Sequence, residues 1–68
     1  MPRFFFDLAY GGDTYQDAQG TSLHDLKLAR QRAVALAYRT AAEAKSHDIV
    51  CTVRDVTGRQ VLQITKNA

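Results

Sequence analysis

One amphipathic helix constrains the fold of this chain more than any other feature. Apolar residues recur with a helical period from Ser22 to Lys45, so that they form a single stripe. The stripe consists of Leu26, Ala29, Ala33, Leu36, Ala37, Ala41 and Ala44, with Val34 at its edge. Because most of these side chains are small, we expect the helix to lie close to the layer that it covers. A chain of 68 residues has room for one core, so we expect a single domain over residues 1–68.

The start of the helix has a recognisable capping pattern. Ser22 is followed three residues later by Asp25, a variant of the capping box in which Asp replaces the usual Glu or Gln. The pattern predicts that Thr21 or Ser22 opens the helix and that the Asp25 carboxylate faces the positive end of the helix dipole. Residues 46–48 are expected to end the helix.

Strand-like segments flank the helix on both sides. The first, Arg3–Tyr10, places Phe4, Phe6 and two further residues on one face, and a Gly-Gly-Asp turn follows it. A short return strand is predicted over 14–17. After the helix, 49–54 and 60–64 form a hairpin. These elements predict an α+β fold: a small antiparallel sheet of three to four strands, in the order β–(β)–α–β–β, with one helix packed on one face.

The terminal hairpin has two alternative registers. Gly58 suits the left-handed position of a three-residue loop, which pairs Val53 with Val61. A two-residue loop would pair Val53 with Leu62 and collect the apolar residues on one face. A slip of one residue exchanges the two faces of a strand, so the preferred turn and the uniform apolar face are predicted to exclude each other.

In either register, apolar residues occur on both faces of the sheet. Phe5, Val50 and Val61 are therefore predicted interface residues on a face that the single helix does not cover. In a chain with no second helix, another copy of the same chain is the expected cover, giving a homodimer.

Residues that could carry catalysis or bind a metal are few. Pro2 would be a secondary amine if Met1 were removed, and such an amine can act as a general base. His24 and His47 lie near opposite ends of the helix, roughly 30 Å apart, so they cannot share a metal. Cys51 is the only cysteine and lies in a predicted strand, where it serves as a small hydrophobe. We therefore predict no catalytic residues, no metal site and no cofactor.

Charge is unevenly distributed along the chain. Residues 1–25 carry one arginine against four aspartates, whereas residues 26–68 carry eight basic residues against three acidic ones. Arg32 and Arg39 are seven residues apart on the helix and form a possible basic face, which would suit nucleic acid if exposed aromatic rings lay beside it. The net charge of +2 makes such binding a secondary hypothesis. No stretch is long enough for a transmembrane span or an export signal, so a cytoplasmic location is expected.

Two motifs resemble a known group of proteins. The opening Met-Pro-Arg-Phe-Phe-Phe and the closing segment 53–62, with its Arg-Asp-x-x-Gly-Arg core, resemble a family of small uncharacterised alphaproteobacterial proteins that open Met-Pro-Arg-Tyr/Phe-Phe-Phe. The resemblance spans nearly the whole chain and implies no activity. A looser similarity over 4–38 is to antitoxins of the HicB type, and the proline start is similar to that of small tautomerases.

These observations lead to one main hypothesis and two alternatives. The main hypothesis is a non-enzymatic protein-interaction module that forms a homodimer or serves a protein partner. The alternatives are an antitoxin-like or nucleic-acid-binding module, and a tautomerase-like enzyme that uses Pro2.

Overall fold

A computed structural model of the protein describes residues 1–44 and 47–67. It contains one helix and five strands: β1 (Arg3–Tyr10), β2 (Asp13–Tyr15), β3 (Thr21–Ser22), α1 (Leu26–Glu43), β4 (Ile49–Arg54) and β5 (Gln60–Lys66). All strand pairs are antiparallel, in the order β2-β1-β4-β5, and β3 pairs with the other half of β1. The predicted α+β fold is confirmed.

The core lies between α1 and the sheet. Phe4 and Phe6 are only 6% and 5% exposed, which confirms their predicted position. The other buried apolar residues are Ala29, Ala33, Ala37, Ile49, Cys51 and Val53. Alanines on the helix allow its backbone to approach the sheet, so the larger side chains of β1 and β4 supply most of the core volume.

Two residues depart from the predicted helix stripe. Thr40 is buried together with Ala29, Ala33 and Ala37, although an apolar pattern does not include a residue with a hydroxyl group. Leu26 was placed on the stripe but is 47% exposed, because it is the first residue of α1 and no preceding turn flanks it.

The helix begins later than the capping box predicted. Asp25 itself is the N-cap: its backbone is extended and its side chain accepts a hydrogen bond from the Leu28 amide at 3.0 Å. Thr21 and Ser22 instead pair with Phe4 and Arg3 as strand β3. Two residues that the capping pattern assigned to the helix start thus pair with the edge of β1 instead. The predicted end at Lys45 and Ser46 lies outside the described residues.

The terminal hairpin combines the two registers that were predicted to exclude each other. The Gly58 amide donates to the Asp55 carbonyl and Gly58 has φ of 86°, as the three-residue turn requires. Further along, Val53 pairs with Leu62 and Cys51 with Ile64, which is the uniform apolar register. A β-bulge between these regions makes both possible, because Val61 is one extra residue on β5.

The first hairpin also differs in detail from its prediction. The return strand is Asp13–Tyr15 rather than 14–17, and both turn glycines have positive φ. The Tyr15 ring stacks on Tyr10 with centroids 4.9 Å apart. After Tyr15 the chain leaves the ladder, and this departure brings Asp17 to the edge of β1.

Candidate functional site

The two edges of the sheet are the features of this molecule that bear most on function. On one side, β2 pairs with residues 8–10 of β1 and β3 pairs with residues 3–4. On the other side, β5 is the last strand, and within the described part of the chain nothing pairs with its outer edge. We call these the closed edge and the open edge.

Asp17 fills the gap that β2 and β3 leave on the closed edge. Its Oδ2 accepts a hydrogen bond from the Phe6 amide at 3.1 Å, where a neighbouring strand would place a carbonyl. Its Oδ1 accepts from the amides of Gln19 and Gly20 at 3.1 and 3.0 Å, which folds the connecting segment into a compact turn. One carboxylate therefore completes the ladder and shapes the loop that reaches it.

Asp7 and Arg54 join the closed edge to the middle of the sheet. Arg54 donates to both oxygens of the Asp7 carboxylate, in the forked arrangement that guanidinium groups favour, and its Nη2 also approaches the Asp17 carbonyl at 3.4 Å. The Asp17 amide donates to Asp7 at 2.9 Å. The Arg54 guanidinium also lies 5.2 Å from the centroid of the Phe5 ring. These contacts form one network, which we call the Asp7–Asp17–Arg54 cluster.

The electrostatics of this cluster favour its charged form. Burial by itself raises the pKa of both aspartates, but the hydrogen bonds outweigh burial and the net pKa of each is lowered. For Asp7 the main opposing cause is the hydrogen bond from Arg54. For Asp17 it is the set of backbone amides of Gly20, Phe6 and Gln19. Both carboxylates are therefore ionised at neutral pH.

The segment held by Asp17 also covers part of the outer face of the sheet. Gly20 has φ of 73°, and a Cβ added there would lie 2.9 Å from both the Phe4 carbonyl oxygen and the Phe5 ring. Phe5 is consequently half-buried within its own chain, with Gly20 against the ring and Arg54 over it. Only a glycine fits such a close approach at positive φ.

The open edge has a different character. Leu62 and Ile64 are half-buried and pack against the core, whereas Gln60, Gln63 and Thr65 are exposed. The only charge on β5 is Lys66 at its end, and its Nζ lies 5.4 Å from the ring centroid of Tyr38. The Gln63 side-chain amide donates a 3.4 Å hydrogen bond to the Thr52 hydroxyl on β4.

The three predicted interface residues do not form one patch. Phe5 and Val50 lie on the outer face, each half-buried, on β1 and β4 respectively. Val61 is at the bulge of β5 and packs against the core cluster. The structure therefore brings only Val61 to the open edge.

The two predicted basic residues have different surroundings. The Arg32 guanidinium lies 5.5 Å from the centroid of the Phe6 ring, and its charge contributes to the lowered pKa of Asp17. Arg39 is exposed two turns further along the same flank of α1. The helix thus turns one of its arginines toward the closed edge.

The remaining candidates for chemistry are dispersed. Pro2 is exposed, and its carbonyl accepts from the Leu23 amide at 3.0 Å. His24 and His47 are both exposed, and the His47 imidazole lies beside Gly11 in the first turn. Cys51 is buried, and burial together with the nearby Asp7 charge raises the pKa of its thiol to about 11.

Three features of residues 1–44 and 47–67 bear on binding to small molecules, metals and membranes. No pocket was found in this part of the chain. It contains no group of three metal-ligating side chains. None of its helices is long and apolar enough to cross a membrane.

Sequence reasoning did not identify the Asp7–Asp17–Arg54 cluster. Asp17 is 11 residues from Phe6 and its carbonyl meets Arg54 across 37 residues, so no short motif connects them. A partial signal existed, because Asp7 and Arg54 are charges within strand-like segments, where an unpaired charge is costly. The Asp-x-x-Gly spacing of Asp17 and Gly20 was a second signal, typical of a side-chain-closed turn.

Comparison with known proteins identifies a family. No curated protein and no solved structure shows significant similarity to this chain. A family model described as "Domain of unknown function (DUF6894)" matches residues 3–66, which include every strand and the helix of the fold. The chain therefore belongs to the DUF6894 family.

Proposed function

We propose that this protein is a small, non-enzymatic protein-interaction module that self-associates as a homodimer in the bacterial cytoplasm. The open edge of β5 is the observation that carries the proposal. The outer side of an edge strand presents a row of backbone N–H and C=O groups, and an extended segment of another chain can pair with them.

The chain protects its two edges unequally. At the closed edge the outer strands have only three and two residues, and a side chain completes the ladder between them. At the open edge β5 has seven residues, no proline, and its lysine only at the end. Its bulge lies beside the turn and leaves 62–66 regular. Short strands, prolines and central charges are the usual protection against pairing, so their absence from β5 favours a strand that pairs with a partner.

The size of the chain supports self-association. Among residues 1–44 and 47–67, the core has eight buried apolar residues, three of them alanines, and a core of this size gives a small domain limited stability. Pairing at β5 would extend the half-buried row of Leu62 and Ile64 into a second core, and association stabilises the folded state by mass action. The proposed interface keeps Val61 and is centred on the edge, since Phe5 already has intramolecular cover.

The cellular context is supported by two features. The sequence opening resembles alphaproteobacterial proteins, and Cys51 is a buried free thiol, which suits a reducing compartment.

Analytical ultracentrifugation at micromolar concentration tests the proposal. We expect a species of twice the 7.6 kDa chain mass. Gln63→Pro should give a monomer, because proline removes an amide from the open edge. Val56→Pro is the matched control: Val56 is 69% exposed and occupies the second position of the Asp55–Gly58 turn, where proline is favoured.

Two outcomes would contradict different parts of the proposal. A wild-type chain that sediments only as a 7.6 kDa species would contradict the homodimer. A dimer that persists in Gln63→Pro, with an unchanged circular dichroism spectrum, would move the interface away from β5.

A further inference from the structure

We infer that the partner at the open edge is a second copy of β5, paired antiparallel across a two-fold axis at Gln63. This inference rests on the proposed self-association and specifies its geometry. The result would be one continuous sheet through both chains, with the two copies of α1 on the same face.

The direction of the backbone groups on β5 follows from the closed edge. The Phe6 amide donates to Asp17, away from β4, so the opposite residue Val53 directs its own amide toward β5. Val53 pairs with Leu62, whose N–H and C=O therefore point back to β4. Because these groups alternate along a strand, those of Gln63 point outward. Two copies of Gln63 can then exchange a pair of backbone hydrogen bonds.

The register is set by the pattern of β5. Gln63 has a regular strand residue on each side, whereas Val61 lies at the bulge and Thr65 lies one residue from the strand end. An axis at Gln63 places Leu62 of one chain opposite Ile64 of the other, which joins the two half-buried apolar rows.

The charges on β5 are compatible with pairing between two copies of this strand. The only charge on β5, Lys66, falls opposite the bulged and uncharged stretch 60–61 of the other chain. No like charges face each other in this arrangement, which is the condition for a strand to pair with itself.

The position of α1 over the sheet is compatible with a two-fold axis at Gln63. α1 packs mainly over β4 and β5, so a two-fold axis at β5 brings the two helices side by side. Tyr38, 58% exposed, lies on the flank nearest β5, beside Lys66. In the dimer this ring would be covered by the neighbouring helix.

A charge-exchange experiment tests the axis. Gln63→Lys and Gln63→Glu each place two like charges opposite each other, and each alone should raise the dimer dissociation constant by about tenfold or more. An equimolar mixture of the two should form a heterodimer, because the charges are then opposite. Gln19→Lys and Gln19→Glu are matched controls, since Gln19 is an exposed glutamine in the closed-edge segment.

Each result has a distinct meaning. Monomeric single variants with a dimeric mixture support the axis at Gln63. Single variants that dimerise as well as the wild type, with unchanged circular dichroism spectra, overturn the axis but leave self-association standing. Single variants that are monomeric and stay so when mixed overturn the juxtaposition of the two Gln63 residues. A monomeric wild type overturns the proposed function and this inference together.

Discussion

The two edges of the sheet solve the same physical problem in different ways. Backbone N–H and C=O groups at a strand edge need partners. At the closed edge the chain supplies them itself, with two short strands and the carboxylate of Asp17. At the open edge the seven-residue strand β5 pairs with β4 on its inner side, and no strand of the described residues pairs with its outer side.

The closed edge of the sheet uses much more of the chain than the open edge does. Closing the edge of β1 uses residues 11–22, three glycines at positive φ, and a cluster in which the Arg54 guanidinium donates to the Asp7 carboxylate and to the Asp17 backbone carbonyl. A strand that pairs with another copy needs none of this machinery. The two edges therefore differ in how much of the chain is used to cover them.

The largest effect is expected from Asp17→Ala. The variant removes the acceptor of three backbone amides, including the partly buried Phe6 amide. Hydrogen bonds to charged groups are worth about 1.5–3 kcal/mol each, and an orphaned donor adds its desolvation cost, so we expect a loss of about 3 kcal/mol in unfolding free energy. Urea denaturation at fixed protein concentration measures it.

Asp13→Ala is the control for this prediction. Asp13 is an exposed aspartate at the start of β2, and its replacement should change the unfolding free energy by less than about 0.5 kcal/mol. Hydrogen exchange supplies a local readout: the Phe6 amide should lose protection in Asp17→Ala. If that amide stays protected, Asp17 does not close the edge.

The next largest loss of unfolding free energy is expected from Gly20→Ala. Gly12→Ala is its matched control. Both glycines have positive φ, so both variants pay a conformational cost of about 1 kcal/mol. Only at Gly20 does the new Cβ also meet the Phe4 carbonyl and the Phe5 ring, whereas nothing lies within 4 Å at Gly12. We expect Gly20→Ala to be more destabilising by about 1 kcal/mol or more in thermal or urea unfolding. Equal losses would show that the segment does not press on Phe5.

The smallest expected effect is the change in unfolding free energy at acidic pH. The folded pKa of Asp7 and of Asp17 is below the ordinary value of 3.8, so their contribution to stability is present above that pH and is lost as pH falls through the folded values. Asp7→Asn should therefore flatten the decline of unfolding free energy in this acidic range. An unchanged slope in the variant would indicate that the ion pair with Arg54 contributes little. β5 carries no carboxylate, so the open edge has no group of its own that titrates there.

Local patterns predicted the elements of this fold well. The alternation in β1 located Phe4 and Phe6 in the core, and the helical stripe identified the alanines that α1 buries. These predictions succeed because a strand repeats every two residues and a helix every 3.6, so neighbouring residues report on the same face.

The same patterns failed where two segments compete for one group. Ser22 has the sequence of a helix cap, but the edge of β1 takes it into β3 and Asp25 becomes the cap. The turn around Gly58 and the apolar face of β5 were predicted to conflict, and one extra residue at Val61 reconciles them. Neither outcome is visible from spacing alone, because each depends on how the segment pairs with a second strand.

The residue pattern alone predicts a helix over a small antiparallel sheet with phenylalanines between them, because side-chain periodicity is a local property. Which sheet edge is closed and which is open follows from the three-dimensional fold and not from the residue pattern. That distinction depends on hydrogen bonds between residues that are not neighbours in sequence. One example is the bond from the Phe6 amide to the Asp17 carboxylate. The outer edge of β5, which no described strand covers, is the basis for the interaction proposed for this protein.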